Sequence, residues 1–160
     1  MTKLARFALA IVALIGAAIV FLPLLLPKPK AANGVSAHQL ADADSRFVEI
    51  DGLNVHYKIA GHGGPLFVLM HGFLGSTETW RSLLHDLANM GTVLAYDRPS
   101  FGLTDRPAEE EWGDTNPYTP EAQIGLLQKL IHHAGYERAI LVGSSAGGTL
   151  ALQTALTVPE

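Results

Sequence analysis

Apolar residues fall along this chain in three rhythms, and each predicts a different kind of element. Residues 7–26 carry no charged side chain. At about 1.5 Å per helical residue, that run is long enough to cross a hydrocarbon layer of about 30 Å. Residues 46–50 and 54–60 alternate apolar and polar side chains around Asp51-Gly52, the pattern of two half-buried antiparallel strands joined by a tight turn. Residues 65–70, 92–96 and 139–142 are apolar with little alternation, as expected of strands covered on both faces. Helical spacings separate them. Trp80, Leu83, Leu84 and Leu87 recur within 76–89, where Ser76 or Thr77 supplies the cap. Leu126, Leu127, Leu130 and Ile131 mark a helix over 120–134, with Pro120 in its first turn and Gly135 ending it; a third helix covers 146–156. Strand and helix alternate throughout, so the fold class is α/β: a leading antiparallel hairpin, then parallel strands with helices on both faces.

The remaining stretches divide the chain into three parts. Residues 1–30 read as an N-terminal membrane anchor or signal sequence, 31–45 as a linker, and 46–160 as the domain. Lys3 and Arg6 before the apolar run nearly balance Lys28 and Lys30 after it. Orientation then rests on the N-terminal amine, which favours a single-pass anchor with the domain outside the cytoplasm. The alternative is a cleaved signal and a secreted or periplasmic protein; Val35-Ser36-Ala37 is its best cleavage site, well beyond the apolar run. Pro27, Pro29, Asn33 and Gly34 mark 28–43 as a tether. A long loop over 97–119 carries Glu109-Glu110-Glu111, a solvated acidic face.

Composition removes several classes of function. A net charge of −4 without a basic stripe excludes a nucleic-acid footprint, and the absence of cysteine excludes disulfides, thiolate metal sites and cysteine nucleophiles. His38, His56, His62 and His85 stand singly, without metal-ligand spacing, and His132-His133 end a helix, where imidazoles suit the dipole. No metal or organic cofactor is implied. Gly61-His62-Gly63-Gly64 leads into a strand and lacks a following Lys-Ser/Thr pair, so it is not a phosphate loop.

The chemistry concentrates at Gly143-Ser144-Ser145-Ala146-Gly147, a G-x-S-x-G sequence between an apolar strand and a helix. Small residues at 143 and 147 permit a sharp strand-to-helix turn that holds Ser145 out as a nucleophile. The helix beginning near Ala146 then points its N-terminus at the place where an attacked carbonyl oxygen gains charge. A second buried strand ends in His71-Gly72 ahead of Phe73, and a third in Asp97-Arg98-Pro99.

With these motifs in this order, residues 46–160 resemble the N-terminal part of the α/β-hydrolase family. The segment 97–107 is most similar to the branch holding carboxylesterases, C–C bond hydrolases, cofactor-free haloperoxidases and epoxide hydrolases. The resemblance implies that Ser145 is the nucleophile and that the backbone N–H groups of Phe73 and Ala146 are the oxyanion donors. It assigns loop-supporting roles to His71, Gly72, Gly143, Gly147 and Asp97, the last as a turn-stabilising or Arg-pairing group rather than the triad acid. Serine here, in place of the aspartate of the dehalogenase and epoxide-hydrolase members, favours ester, thioester, amide or C–C substrates. The family's acid and histidine follow the nucleophile in the chain, and nothing between Ser145 and Glu160 supplies them. The expectation is the N-terminal part of a longer serine hydrolase acting on a small ester or acyl substrate, inactive and aggregation-prone in isolation. Two alternatives stand beside it: a non-catalytic binding or receptor module on the same fold, and an acyltransferase or perhydrolase using the same serine. Trp112 and Tyr118 are expected near the pocket entrance.

Overall fold

The computed structural model describes residues 3–25 and 34–159. They form two compact units divided between Gly34 and Val35. The first is helix α1 (Lys3–Leu25), whose described side chains are exposed and which is long and apolar enough to cross a membrane. Lys28, Lys30, Pro27, Pro29 and Asn33, which carry part of the orientation and tether readings, lie outside the described residues.

The second unit opens with a helical turn, α2 (Ala37–Leu40), where the sequence pattern suggests only a tether. Local chemistry accounts for the difference. Ser36 and Gln39 form a capping box, each satisfying the other's backbone N–H, and the His38 ring sits 4.1 Å from that of Phe47. Ser45, the last residue of the expected linker, already begins β1 (Ser45–Ile50). That strand pairs antiparallel with β2 (Leu53–Ala60) in the register Ile50↔Leu53. Asp51 and Gly52 have φ of 52° and 77°, the two left-handed residues that a type I′ hairpin turn requires.

The sheet continues through β3 (Leu66–Met70), β4 (Thr92–Tyr96) and β5 (Ala139–Gly143) in the order β1-β2-β4-β3-β5. β2 meets β4 antiparallel, while β3 is parallel to both β4 and β5. The uniformly apolar strands conceal a period of two, because each face has its own core. Leu66, Val68, Met70, Leu94 and Tyr96 face Ile124, Leu127 and Leu130 of α4 (Pro120–His133) and Leu150 of α5 (Ala146–Thr157). Phe67, Leu69, Val93 and Ala95 face Trp80 and Leu84. The single helix suggested over 76–89 is a 3-10 turn, Thr77–Trp80, running into α3 (Arg81–Leu87). Its start is tethered: the Thr77 N–H donates to Asp97 Oδ1 at 2.6 Å, and the Glu78 N–H to the Ser76 hydroxyl.

β5 pairs with β3 on one side and with no described strand on the other. Beside it runs an open groove of about 790 Å³ lined by Ala139, Leu141, Ala151, Ala155 and Val158.

α5 crosses the end of β3 so closely that a Cβ on Gly147 would overlap the Met70 carbonyl oxygen, a backbone atom that cannot swing aside. Gly147→Ala is therefore expected to lower stability by about 3 kcal/mol. Gly125, in the middle of α4, has open space around it, and Gly125→Ala should gain about 0.5–1 kcal/mol from helix propensity. Urea unfolding midpoints check both; an unchanged midpoint for Gly147→Ala would show that the two backbones can separate.

Candidate active site

The site forms where three strand ends meet. After β5 the Ser144 N–H donates to the Met70 carbonyl at 3.1 Å, bending the chain over the end of β3. Ser145 then takes φ 51° and ψ −121°, backbone angles unfavourable for any residue with a side chain and costing on the order of 1–3 kcal/mol. Packing enforces them. A Cβ on Gly143 would overlap the Gly147 carbonyl, so strand and helix fold back on each other only with glycine there. The turn is closed by the Gly147 N–H on Ser144 O at 2.9 Å and the Thr149 N–H on Ser145 O at 3.1 Å. Ser145 is left exposed at the tip.

The loop after β3 lies against this tip. A Cβ on Gly72 would stand 3.1 Å from Ser145 Cβ and 3.2 Å from Ser144 O, so glycine admits the contact. Phe73 comes next, its side chain exposed and its ring 5.9 Å edge-on from that of Phe101. Neither the Phe73 N–H nor the Ala146 N–H has an acceptor among the described residues. The Ala146 N–H opens α5, and a helix N-terminus favours negative charge.

His71 is fully buried beneath that loop. Its Nδ1–H donates to Gly72 O at 2.8 Å, and its Nε2 accepts the Arg98 N–H at 3.0 Å. Burial pushes its pKa below the ordinary histidine value. With both ring nitrogens committed, His71 holds the loop and has no lone pair for a serine proton. Arg98 extends the link, reaching His71 O at 3.3 Å and Gln123 Oε1 at 3.0 and 2.9 Å.

Asp97 is also buried, and it pairs with a histidine rather than an arginine. Its Oδ2 lies 2.7 Å from His56 Nδ1 and accepts the Leu103 N–H at 2.8 Å; Oδ1 takes the Thr77 N–H. Burial opposes ionisation, but the His56 ring and the two N–H donors outweigh it, so the carboxyl sits below its ordinary pKa. Gly102, with φ 50°, is pressed against the carboxylate with no room for a Cβ. His56 is the residue the sequence pattern missed. Its only signal was a polar residue between Val55 and Tyr57, on a strand whose other face is core.

Trp112 and Tyr118 lie together, ring centroids 5.8 Å apart, and both donate to the Pro107 carbonyl, at 3.1 and 2.7 Å. Their described contacts brace the long loop. His133 Nε2 lies 3.1 Å from the Tyr57 hydroxyl, and His132 lies near Glu137. No cluster of potential metal ligands occurs among the described residues.

The strand-elbow-helix sets an exposed serine at the C-terminal edge of the parallel strands, the edge of an α/β scaffold where ligands bind. The family model for the alpha/beta hydrolase fold matches residues 65–160, and the chain belongs to that family. It is 32% identical over 114 residues to epoxide hydrolase 4 of Mus musculus, covering 71% of this chain and 30% of the relative. It is 32% identical over 121 residues to the dihydrolipoyllysine-residue acetyltransferase component of the acetoin cleaving system of Cupriavidus necator, covering 75% of this chain and 30% of that protein. The crystal structure of epoxide hydrolase A from Mycobacterium thermoresistibile superposes with a TM-score of 0.65 at 29% identity, over 72% of this chain and 35% of that one. The chain thus spans about 30% of the length of these two curated relatives.

Replacing Asp97 by asparagine puts an amide among three donors and leaves the His56 pair broken, an expected loss of about 3 kcal/mol at neutral pH. The folded-state pKa is lowered, so the carboxylate's contribution is complete above the unfolded value near 3.8 and is lost as pH falls through the lower folded value. The stability gap between wild type and Asp97→Asn should therefore be constant down to about pH 4 and narrow below it. Urea titrations from pH 7 to pH 3 check this; a gap that does not narrow would exclude an ionised Asp97.

Proposed function

We propose that this chain carries the nucleophile half of a membrane-anchored serine hydrolase that acts on a small ester or a related acyl or C–C substrate through an acyl-enzyme. The observation that carries the reading is Ser145 at φ 51°, exposed against the 71–73 loop between two N–H donors that lack acceptors. In the proposed reaction Ser145 Oγ bonds to the substrate carbonyl carbon as its proton passes to a base. The oxyanion rests on the Phe73 and Ala146 N–H groups, the bond to the leaving group breaks, and water then releases the acid. Each oxyanion donor of this kind contributes about 3 kcal/mol in the transition state.

Two relatives are named as epoxide hydrolases, yet the elbow residue here is serine, and the family resemblance pairs epoxide opening with aspartate. A serine adds to an acyl carbon and leaves an ester that water can cleave, which supports acyl chemistry. Among the described residues no histidine is hydrogen-bonded to Ser145, and the proposed reaction takes its base and acid from further parts of the full-length protein. In the full-length protein, fluorophosphonate labelling of the peptide that carries residue 145 is expected to vanish in Ser145→Ala. Persistence of the label on the same catalytic peptide in the variant would sink the assignment.

The acetyltransferase name of the Cupriavidus relative supports a second outcome at the same serine, transfer of the acyl group to an acceptor other than water. Product analysis with a thiol or alcohol acceptor present separates the two. For α1 the proposal is a single-pass anchor with the domain on the extracytoplasmic side. The chain should stay with membranes through an alkaline carbonate wash and be released when residues 3–25 are deleted; release of the intact chain by carbonate would exclude a spanning helix.

A further inference from the structure

Only one serine among the described residues is hydrogen-bonded to a histidine, and it is not Ser145. Sheet register produces the contact. In the β1–β2 pair Phe47 faces His56 and Ser45 faces Lys58, so Ser45 lies one diagonal step from His56 on the same face of the sheet. Across β2, Tyr57 faces Tyr96, which sets the next residue, Asp97, beside His56; the Asp97 N–H donates to His56 O at 2.9 Å. The three side chains then run in a row over three strands. Ser45 Oγ is 2.8 Å from His56 Nε2, and His56 Nδ1 is 2.7 Å from Asp97 Oδ2. An ionised carboxylate only accepts, so Nδ1 carries a proton, and in the neutral imidazole Nε2 is then the acceptor for the Ser45 hydroxyl.

This order of contacts, nucleophile to base to orienting acid, is the one by which serine nucleophiles are activated. The orienting acid is held more firmly than the pair alone would require. Asp97 also takes the N–H groups of Thr77 and Leu103, while the His56 N–H donates to Thr104 Oγ1 at 2.9 Å and Thr104 donates to Asp97 O at 2.7 Å. The ring of Phe47, 5.1 Å from that of His56, covers the imidazole. Asp97 and His56 are almost fully buried, but Ser45, at the start of its strand, is part-exposed.

We propose that Ser45, His56 and Asp97 form a second reactive centre in which Ser45 is a site of covalent modification by small acylating or phosphonylating electrophiles, independent of Ser145. In the reaction with a fluorophosphonate, Ser45 Oγ bonds to phosphorus and the P–F bond breaks with its electron pair on fluoride. The hydroxyl proton passes to His56 Nε2, and the imidazolium is held by Asp97. The one backbone donor on the Ser45 hydroxyl, the Asp42 N–H at 3.1 Å, points at the nucleophile and not at a developing oxyanion. Activation without a paired oxyanion site gives a lasting adduct in place of rapid turnover.

The test uses the full-length protein in detergent, carrying Ser145→Ala, treated with a small fluorophosphonate and digested for peptide mass spectrometry. Ser36 and Ser82 are exposed serines with no histidine contact and serve as internal references. Ser45 should be labelled at least about a hundredfold faster than either, the low end of general-base assistance, and the preference should disappear in urea. His56→Asn, if it keeps the native tryptophan emission, should reduce Ser45 to the reference rate. Labelling of folded Ser45 at the rate of Ser36 overturns the proposal, as does a folded His56→Asn chain that labels unchanged. Because Ser145 is absent throughout, its own reactivity has no bearing on the outcome.

Discussion

The contact on which the site depends is the approach of two backbones, the first turn of α5 against the end of β3. At Gly147 a side chain would meet the Met70 carbonyl, and at Gly143 it would meet Gly147 itself. With both positions bare, the helix can start within three residues of the strand's end, and Ser145 is forced into the backbone angles that put its hydroxyl outside. The strain is a local cost on the order of 1–3 kcal/mol. It is offset by the packing of α5 against the sheet through Leu150, in the larger of the two cores. The exposure of Ser145 is thus a product of backbone proximity.

A second constraint keeps the rest of the edge in register with the elbow. Asp97 is a buried charge, and such a group is tolerated only when its lone pairs are filled. Filling them draws together β2 through His56, the turn before α3 through Thr77, and the long loop through Leu103. The next residue, Arg98, gives its N–H to His71, and His71 gives its own to the carbonyl of Gly72, a position where a side chain would crowd Ser145. Hydrogen bonds and the Asp97–Arg98 peptide link therefore run from the hairpin to the loop beside Ser145. Loosening Asp97 would loosen the loop that carries Phe73.

What the sequence disclosed, and what it concealed, follows from the range of the interaction. Thr92–Tyr96 and the hairpin turn are encoded by neighbours, and so is the elbow, because glycine at 143 and 147 acts within one turn of chain. The His56–Asp97 pair spans 41 residues and leaves no local mark; a histidine amid apolar residues reads like any surface position until the register of β1, β2 and β4 is fixed. The 76–89 helix was over-long for a related reason. Its periodic apolar residues are real, but the Thr77 N–H answers to Asp97, twenty residues away, so the first turn tightens to a 3-10 form. The turn Ala37–Leu40 was overlooked because a single capped turn has no periodicity to detect.

The two serines divide between them what a hydrolase requires in one place. Ser145 has strained presentation, an open approach and two N–H donors, the features that stabilise charge on the substrate. Ser45 has the base and the acid that charge the nucleophile, together with a single donor aimed at its own oxygen. The magnitudes show what each half would lack as a catalyst. General-base assistance contributes about 10² to 10⁴-fold and one oxyanion donor about 10² to 10³-fold. The two factors multiply only when both act on the same oxygen and carbon. A base brought to Ser145 would therefore add to donors already in place, whereas Ser45 would need a second N–H built opposite its attack. On the two proposals made above, the asymmetry assigns turnover to the elbow and capture to Ser45.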